Sequence, residues 1–143
     1  NLLLNRASQW ADIDSYLPYQ GRVEVKVKRP VDLAVRVPEW VAPRDTRVEV
    51  NGADRRLGWD GRYAQVGDVK PGDTVAVTFP ISEETVEVAI EKRKYTLVRR
   101  GNEIVDIYPR GQHYPYYLRE HYRSGQPRWL KVTRYVNDRP ISW

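Results

Sequence analysis

The feature that most constrains this fold is the alternation of apolar and polar residues. Val23, Val25 and Val27 are separated by Glu24 and Lys26. Successive side chains of a β-strand point to opposite faces of the sheet, whereas the repeat of an α-helix is about 3.6 residues. The pattern therefore predicts strands with one buried and one solvated face, as in antiparallel sheets. It recurs in segments 32–37, 47–50, 74–79, 85–90 and 95–97.

Turn signals separate these segments. Asn51-Gly52 and Asp60-Gly61 are hairpin dipeptides because both residues tolerate positive φ. In Pro71-Gly72-Asp73, proline presets φ and glycine accepts the left-handed position. Gly101, beside Asn102, offers the same freedom at a later reversal. Many short strands between such turns predict an all-β fold, an antiparallel two-sheet β-sandwich with a jelly-roll-like character.

The remaining segments are less regular. Residues 7–15 are expected to be irregular or a short strand, and later strands are expected at 104–107 and 130–136. Segment 108–129 mixes aromatic and charged residues without a clear period, so we expect a long ordered loop there. The length of 143 residues is typical of one domain, and residues 1–143 are accordingly predicted to form a single β-sandwich domain.

The amino-acid composition limits the kinds of functional site that this chain can have. The chain has no Cys, which excludes disulfides, thiolate metal sites and a cysteine nucleophile. The net charge is +5, but Arg and Lys are interspersed with carboxylates. This mixture favours a solvated surface over a polyanion site, so no nucleic-acid partner is expected. No cofactor and no metal site are predicted.

Short apolar runs bear on membrane insertion and on the cellular compartment. No apolar run approaches the ~20 residues that a membrane helix needs. Leu2-Leu3-Leu4 is too short for a signal peptide. No membrane partner is therefore expected. The compartment stays open, because a lack of Cys suits the cytoplasm and the exterior alike, with the cytoplasm favoured. The chain starts at Asn1 and contains no Met, so we expect an excised domain, a processed chain or a fragment.

Several motifs occur in a characteristic order. Tyr16 to Gly21 reads Tyr-x-Pro-aromatic-x-Gly before a strand, and Arg36 to Trp40 reads Arg-apolar-Pro-x-Trp at a strand end. The Asn51-Gly52 hairpin, a strand with Tyr63, and a Pro-Gly-Asp turn leading to a Val-rich strand at 71–80 follow. From Leu3 to about Asp106 this order resembles the β-sandwich domain of the β-L-arabinofuranosidase family of glycoside hydrolases, family 127. Arg100-Gly101-Asn102 departs from the Gly-Pro of many relatives.

The resemblance implies a fold and a context. In that family, a six-hairpin helical barrel holds a cysteine nucleophile beside a zinc ion bound by Cys and Glu. None of these residues maps onto this chain, in which the catalytic helical barrel is absent. The resemblance therefore implies a non-catalytic accessory domain, not an enzyme on its own. Its partner would be the helical catalytic barrel of the same or an associated chain, and it could border the carbohydrate site.

Some residues could in principle support other chemistry. Glycosidases use two carboxyl groups, and the candidate pairs are Asp12/Asp14, Glu83/Glu84 and Glu103/Asp106. His113 and His121 match no zinc spacing. A Ser124, His121 and Asp138 triad lacks a nucleophile elbow. Solvated surface positions are the favoured interpretation for all of these residues.

The aromatic residues suggest a binding surface. Tyr and Trp combine a flat apolar face with a polar group, which suits contact with sugar rings. The alternatives are packing at the end of the sandwich, docking against a neighbouring domain, and base stacking. The carbohydrate-contact candidates are His113, Tyr114, Tyr116, Tyr117, Arg119 and Tyr122.

The tryptophans divide into two groups. Trp40 and Trp59 are expected to be structural. Trp10, Trp129 and Trp143 are candidates for a domain interface, since exposed apolar patches mark such surfaces.

These interpretations favour an accessory sandwich domain over three alternatives. The first is an autonomous carbohydrate-binding module. The second is a basic nucleic-acid-binding β domain, and the third is a self-contained hydrolase.

Overall fold

The structure is a computed structural model that describes residues 5–111 and 119–128. The described residues form twelve strands and two short 3₁₀ helices, at Pro43–Asp45 and Glu120–Ser124. The strands are β1 (Arg6–Ala7), β2 (Ala11–Ser15), β3 (Arg22–Val27), β4 (Val31–Arg36), β5 (Arg47–Val50), β6 (Ala53–Asp54), β7 (Gly58–Asp60), β8 (Tyr63–Val69), β9 (Thr74–Thr78), β10 (Glu83–Ile90), β11 (Arg93–Arg100) and β12 (Glu103–Tyr108).

Three antiparallel sheets contain these strands. The large sheet has the order β1-β2-β3-β9-β5-β6, and the small sheet has the order β4-β8-β7. Their apolar faces form one core, so the first nine strands make the predicted β-sandwich. The third sheet, β10-β11-β12, is a three-stranded meander, meaning that consecutive strands pair in order along the chain. The all-β antiparallel prediction is confirmed.

The core consists mainly of valine. Val23, Val25 and Val27 of β3 are buried, as the alternation predicts, and Val75 and Val77 lie beside them on β9. Burying a Val side chain contributes about 1.5–3 kcal/mol before the entropy cost of ordering. The branched side chain also suits the pleated surface of a strand. Repeated valine burial therefore provides the main stabilisation of the sandwich.

The turn signals are confirmed. Asn51 and Gly52 have φ of 53° and 79° between β5 and β6, and Gly61 has φ of 56° between β7 and β8. Gly72 and Gly101 also have positive φ, at the β8–β9 and β11–β12 reversals. Segment 7–15 contains the end of β1 and all of β2, so a short strand is the correct alternative there.

Gly21 explains the end of the Tyr16–Gly21 motif. Its backbone C=O accepts a hydrogen bond from the Phe79 N–H at 2.8 Å. A Cβ at this position would lie 1.8 Å from the Phe79 carbonyl oxygen. Only glycine permits this approach of the turn to the end of β9.

The sequence did not predict either 3₁₀ helix. Glu120–Ser124 lies within the predicted loop 108–129, of which residues 112–118 and 129 are outside the described residues. The strand predicted at 130–136 also lies outside them. Among the described residues, no helix has the length and apolar character needed to cross a membrane.

Candidate functional site

Two of the six carbohydrate-contact candidates are within the described residues. Arg119 and Tyr122 lie at the 3₁₀ helix Glu120–Ser124, beside the meander. The other four lie outside the described residues: His113, Tyr114, Tyr116 and Tyr117. The predicted six-residue surface therefore remains a prediction, and only its two described members have known contacts.

Arg119 holds the 3₁₀ helix against the meander. Its backbone N–H donates to the Val105 carbonyl at 2.9 Å, and its Nη1 donates to Glu103 Oε2 at 2.5 Å. The guanidinium carbon lies 5.9 Å from the centroid of the Tyr122 ring. A charge-assisted hydrogen bond and a cation–π contact thus use the same side chain.

Tyr122 completes an aromatic cluster that joins two parts of the chain. Its ring centroid lies 5.2 Å from that of Tyr19 at an interplanar angle of 79°, and 4.5 Å from that of His121. We call Tyr19, His121, Tyr122, Arg119 and Glu103 the junction cluster. Edge-to-face aromatic pairs are favourable. The cluster attaches the 3₁₀ helix to the turn that precedes β3.

Sequence reasoning missed Tyr19 and His121 as members of this cluster. Sequence patterns place Tyr19 only in the turn motif and indicate His121 only as a candidate metal ligand or base. The Tyr19–His121 ring contact spans 6.2 Å, between residues far apart in sequence. No periodic pattern connects these positions, so the sequence carried no signal for their contact.

An ion-pair network centred on Glu83 reinforces the junction. Arg123 donates to both carboxylate oxygens of Glu83, with its Nε 2.9 Å from Oε1 and its Nη2 3.0 Å from Oε2. Arg123 also pairs with Glu120, and Arg100 Nη1 lies 3.6 Å from Glu83 Oε1. The hydrogen bond from Arg123 lowers the pKa of Glu83. The same bond raises the pKa of Arg123.

The carboxyl groups considered as catalytic pairs all form ion pairs with basic residues. In Asp106, the hydrogen bond from Arg110 lowers the pKa of the carboxyl group. A general acid of a glycosidase needs a raised pKa instead. The six pairs are Asp12–Lys28, Asp14–Lys26, Glu83–Arg123, Glu84–Arg99, Glu103–Arg119 and Asp106–Arg110.

The histidine and serine hypotheses find no supporting geometry. Within residues 5–111 and 119–128, no group of three or more His, Asp or Glu side chains could hold a metal ion. Ser124 Oγ accepts a hydrogen bond from the Gln126 N–H at 3.2 Å, which is a local turn contact. Asp138, the third member of the hypothetical triad, and His113 lie outside the described residues.

Trp40 connects the meander to the sandwich. Its Nε1 donates to Asn102 Oδ1 at 2.8 Å, and its ring packs edge-on against Phe79 at 5.8 Å. A Cβ at Gly101 would lie 2.8 Å from Trp40 Cζ2 and 3.2 Å from Ile81 Cγ2. The β11–β12 turn therefore sits directly on Trp40, which has the expected structural role.

Of the three predicted interface tryptophans, one is described. Trp10 is 49% exposed, and the guanidinium carbon of Arg29 lies 5.6 Å from its ring centroid. An exposed tryptophan is suitable for a domain interface, but its role remains a prediction. Trp129 and Trp143 lie outside the described residues. Trp59 packs against the core of the sandwich.

A groove lies between β4 of the small sheet and β2 and β3 of the large sheet. It has a volume of about 750 Å³. Ala11 and Ile13 of β2 and Leu33 and Val35 of β4 contribute apolar walls. Its polar margin is formed by Arg36, Glu39, Tyr63 and Asn102. No sequence pattern predicts this groove, because its walls come from strands of two different sheets.

Comparisons with known proteins agree with this fold. The family described as "Beta-L-arabinofuranosidase, GH127 middle domain" matches residues 6–81, which is more than half of the 143-residue chain. The chain therefore belongs to the family of middle domains of GH127 β-L-arabinofuranosidases. This confirms the resemblance inferred from the motifs.

Solved structures show the same fold at low sequence identity. A glycoside hydrolase is 24% identical, with a TM-score of 0.52, over 66% of this chain and 17% of its own. A GH127 β-L-arabinofuranosidase from Geobacillus stearothermophilus T6 is 21% identical, with a TM-score of 0.51, over 66% and 16%. A GH127 β-arabinofuranosidase is 22% identical, with a TM-score of 0.50, over 66% and 18%.

The matched structures are much longer than this chain, which spans only 16% to 18% of their lengths. No curated protein sequence matches the chain.

Proposed function

We propose that this chain is a non-catalytic accessory domain that supports the catalytic region of a GH127 β-L-arabinofuranosidase. The match of residues 6–81 to the middle domain of that family carries the proposal. The partner in this proposal is a helical catalytic barrel in the same or an associated chain. Residues 1–143 act as one unit in this role.

The electrostatics of the described residues support a structural role. Glu83 and Asp106 accept hydrogen bonds from Arg123 and Arg110, and both carboxyl groups have lowered pKa values. Such groups are stabilised as anions and are poor proton donors near neutral pH. The carboxylates that sequence reasoning considered for catalysis thus hold strands and the 3₁₀ helix together.

The experiment compares the 143-residue chain with the longer polypeptide in which it occurs. Both are incubated with a chromogenic aryl β-L-arabinofuranoside. We expect turnover by the longer polypeptide and none by the isolated chain. Removal of segment 6–81 from the longer polypeptide should lower its Tm, because an interdomain interface typically buries about 600–1,500 Å².

Two results would reject the proposal. One is turnover by the isolated chain at an enzyme-like rate. The other is a longer polypeptide whose activity and Tm do not change when segment 6–81 is removed. Circular dichroism of the isolated chain should show strand structure, which ensures that a lack of turnover is not due to unfolding.

A binding role for the aromatic segment remains a second proposal. Residues 113–117 would contact carbohydrate beside the catalytic region. The contacts of Arg119 and Tyr122 with Glu103 and Tyr19 favour packing for these two side chains. Titration with arabinose oligosaccharides tests the proposal: Tyr117→Ala should abolish binding if the segment contacts sugar.

A further inference from the structure

The two sheets of the sandwich differ in width, and the difference is largest beside β4. The large sheet has six strands and the small sheet has three. In the small sheet, β4 is an edge strand that pairs only with β8 among the described residues. The groove lies along this edge, with Ala11 and Ile13 of the large sheet in its walls. One more strand beside β4 would cover these side chains.

The backbone of β4 is suitably oriented to accept a strand. Val37 N–H donates to the Arg62 carbonyl at 2.9 Å, and Val35 is opposite Ala64 in the same register. Backbone groups of an antiparallel strand alternate between its two sides. The N–H and C=O groups of Ala34 and Arg36 therefore point away from β8, towards the edge that has no partner strand among the described residues.

The side chains of β4 leave room for a neighbour. Ala34, in the middle of the outer face, is exposed and small. Leu33 and Val35 face the core side and line the groove. β4 pairs with β8 along its whole length, and Pro30 and Pro38 flank the strand, but no proline lies within Val31–Arg36. Natural edge strands that must remain free usually carry proline or a lysine that blocks pairing.

The charges on β4 specify the chemistry of the occupant. Asp32 and Arg36 are exposed on the outer face. Arg36 pairs with Glu39 at 3.0 Å, and both side chains are largely exposed. Exposed ion pairs of this kind are weak, so Arg36 can change partner. An incoming strand should carry a basic residue opposite Asp32 and an acidic residue opposite Arg36.

We propose that an extended segment of the longer polypeptide, from outside residues 1–143, adds to the β4 edge and fills the groove. Its alternate apolar side chains would cover Ala11, Ile13 and Leu33. This inference rests on the proposed function, and it names the surface by which the domain is held. The length outside the matched region supplies the segment, because the chain spans at most 18% of the related structures.

Hydrogen exchange tests the proposal without any substitution. The Ala34 and Arg36 amides should exchange rapidly in the isolated 143-residue chain. In the longer polypeptide, we expect both to exchange at least about 100-fold more slowly, because each becomes part of a sheet ladder. The amide of Gly52, in the exposed β5–β6 turn, is the internal control and should exchange rapidly in both.

Substitution with proline provides a second test of the strand-addition proposal. Ala34→Pro removes one outward N–H, which edge strands tolerate. The isolated chain should therefore keep its Tm within about 2 °C. In the longer polypeptide, the variant should restore rapid exchange at the Arg36 amide. Ala89→Pro makes the same change in the edge strand β10 and should leave the Arg36 amide protected.

The outcomes separate this inference from the proposed function. Equal exchange of Ala34 and Arg36 in both proteins would reject the β4 site, even if removal of segment 6–81 still lowers the Tm. An arabinose oligosaccharide is also added to the isolated chain while NMR chemical shifts are recorded. Saturable chemical-shift changes at Ala34 and Tyr63 would show a sugar site there and would also reject the strand-addition proposal. If Ala34→Pro does not fold, the comparison of amide exchange in the two unsubstituted proteins still tests whether a strand adds to β4.

Discussion

The sandwich and the meander use different physical means to remain folded. In the sandwich, buried valines of two facing sheets form the core. In the meander, Val86, Val88 and Leu97 are only half-buried, and Val105 is the one buried apolar side chain of its described strands. The sandwich thus depends on apolar burial between layers. The meander depends more on Trp40, the junction cluster and the ion pairs of Glu83.

This difference explains why the two regions respond differently to substitution. Apolar burial is cumulative and is not weakened by ionic screening, whereas exposed ion pairs are weak and screened. The meander should therefore loosen first under acid or salt.

Phe79→Ala should cause the largest decrease in the free energy of unfolding. Phe79 is buried at the end of β9 and packs against Trp40. Removing a buried Phe side chain typically lowers the free energy of unfolding by about 3–5 kcal/mol. Urea denaturation measures the loss. Val88→Ala in the meander is the comparison variant and should cost much less, so equal losses would contradict the distinction between the two regions.

Gly101→Ala should detach the meander from Trp40. Its new Cβ would lie 2.8 Å from Trp40 Cζ2, and φ is +58°. Overpacking and the left-handed backbone together should cost about 2–4 kcal/mol. Gly61→Ala is the matched control, because its φ is +56° and nothing lies within 4 Å. A thermal melt in which both variants lose the same stability would argue against the contact with Trp40.

Glu83→Gln should have a pH-dependent effect. The pKa of Glu83 is lowered from its ordinary value of 4.5, chiefly by the hydrogen bond from Arg123. The stabilisation is therefore present above pH 4.5 and is lost as the pH falls through the lower folded pKa. At pH 7, the loss should be at most about 1 kcal/mol, since the pair is partly solvated.

The measurement for Glu83 is a series of thermal melts from pH 7 to pH 2.5. The difference in Tm between the original chain and Glu83→Gln should disappear at the acid end. Glu87→Gln, on the exposed face of the same strand, serves as the control and should not change the Tm at any pH. A Glu83→Gln deficit that persists at pH 2.5 would exclude the ion pair as its cause.

Trp10→Ala should have the smallest effect in the isolated chain. Trp10 is half-exposed, and its contact with Arg29 is a surface cation–π interaction worth about 0.5–1 kcal/mol. Chemical denaturation of the isolated chain should detect little change. A larger loss in the longer polypeptide would support the predicted interface, whereas the same small loss in both would argue that Trp10 is only a surface residue.

The sequence predicted the sandwich well because local patterns encode it. Alternation identified β3, β4, β5 and β9, and Asn51-Gly52 and Asp60-Gly61 marked the correct hairpins. It did not predict the reversal between β10 and β11, where Glu91 has φ of 54°. That turn contains no glycine, asparagine or proline, so its conformation follows from the pairing of the two strands.

For the candidate site, the sequence identified Arg119 and Tyr122 but neither their contacts nor the participation of Tyr19 and His121. Arg119 and Tyr122 were selected as carbohydrate contacts from their composition, and the fold uses both at the junction with Tyr19 and Glu103. Contacts between residues about 100 positions apart depend on how sheets are stacked. Side-chain type alone does not distinguish aromatic residues that bind a sugar from aromatic residues that pack within the fold.

Local sequence patterns alone indicate the all-β class, the valine core, the main turns and membership of the family of GH127 middle domains. Period-two alternation and turn residues act over a few neighbouring positions, so they can be read along the chain. The three-dimensional arrangement was needed to show the three-against-six division of strands, the contact of Gly101 with Trp40 and the edge of β4 that has no partner strand among the described residues. These features depend on which strands pair and on how the layers are offset, and no short segment encodes that choice.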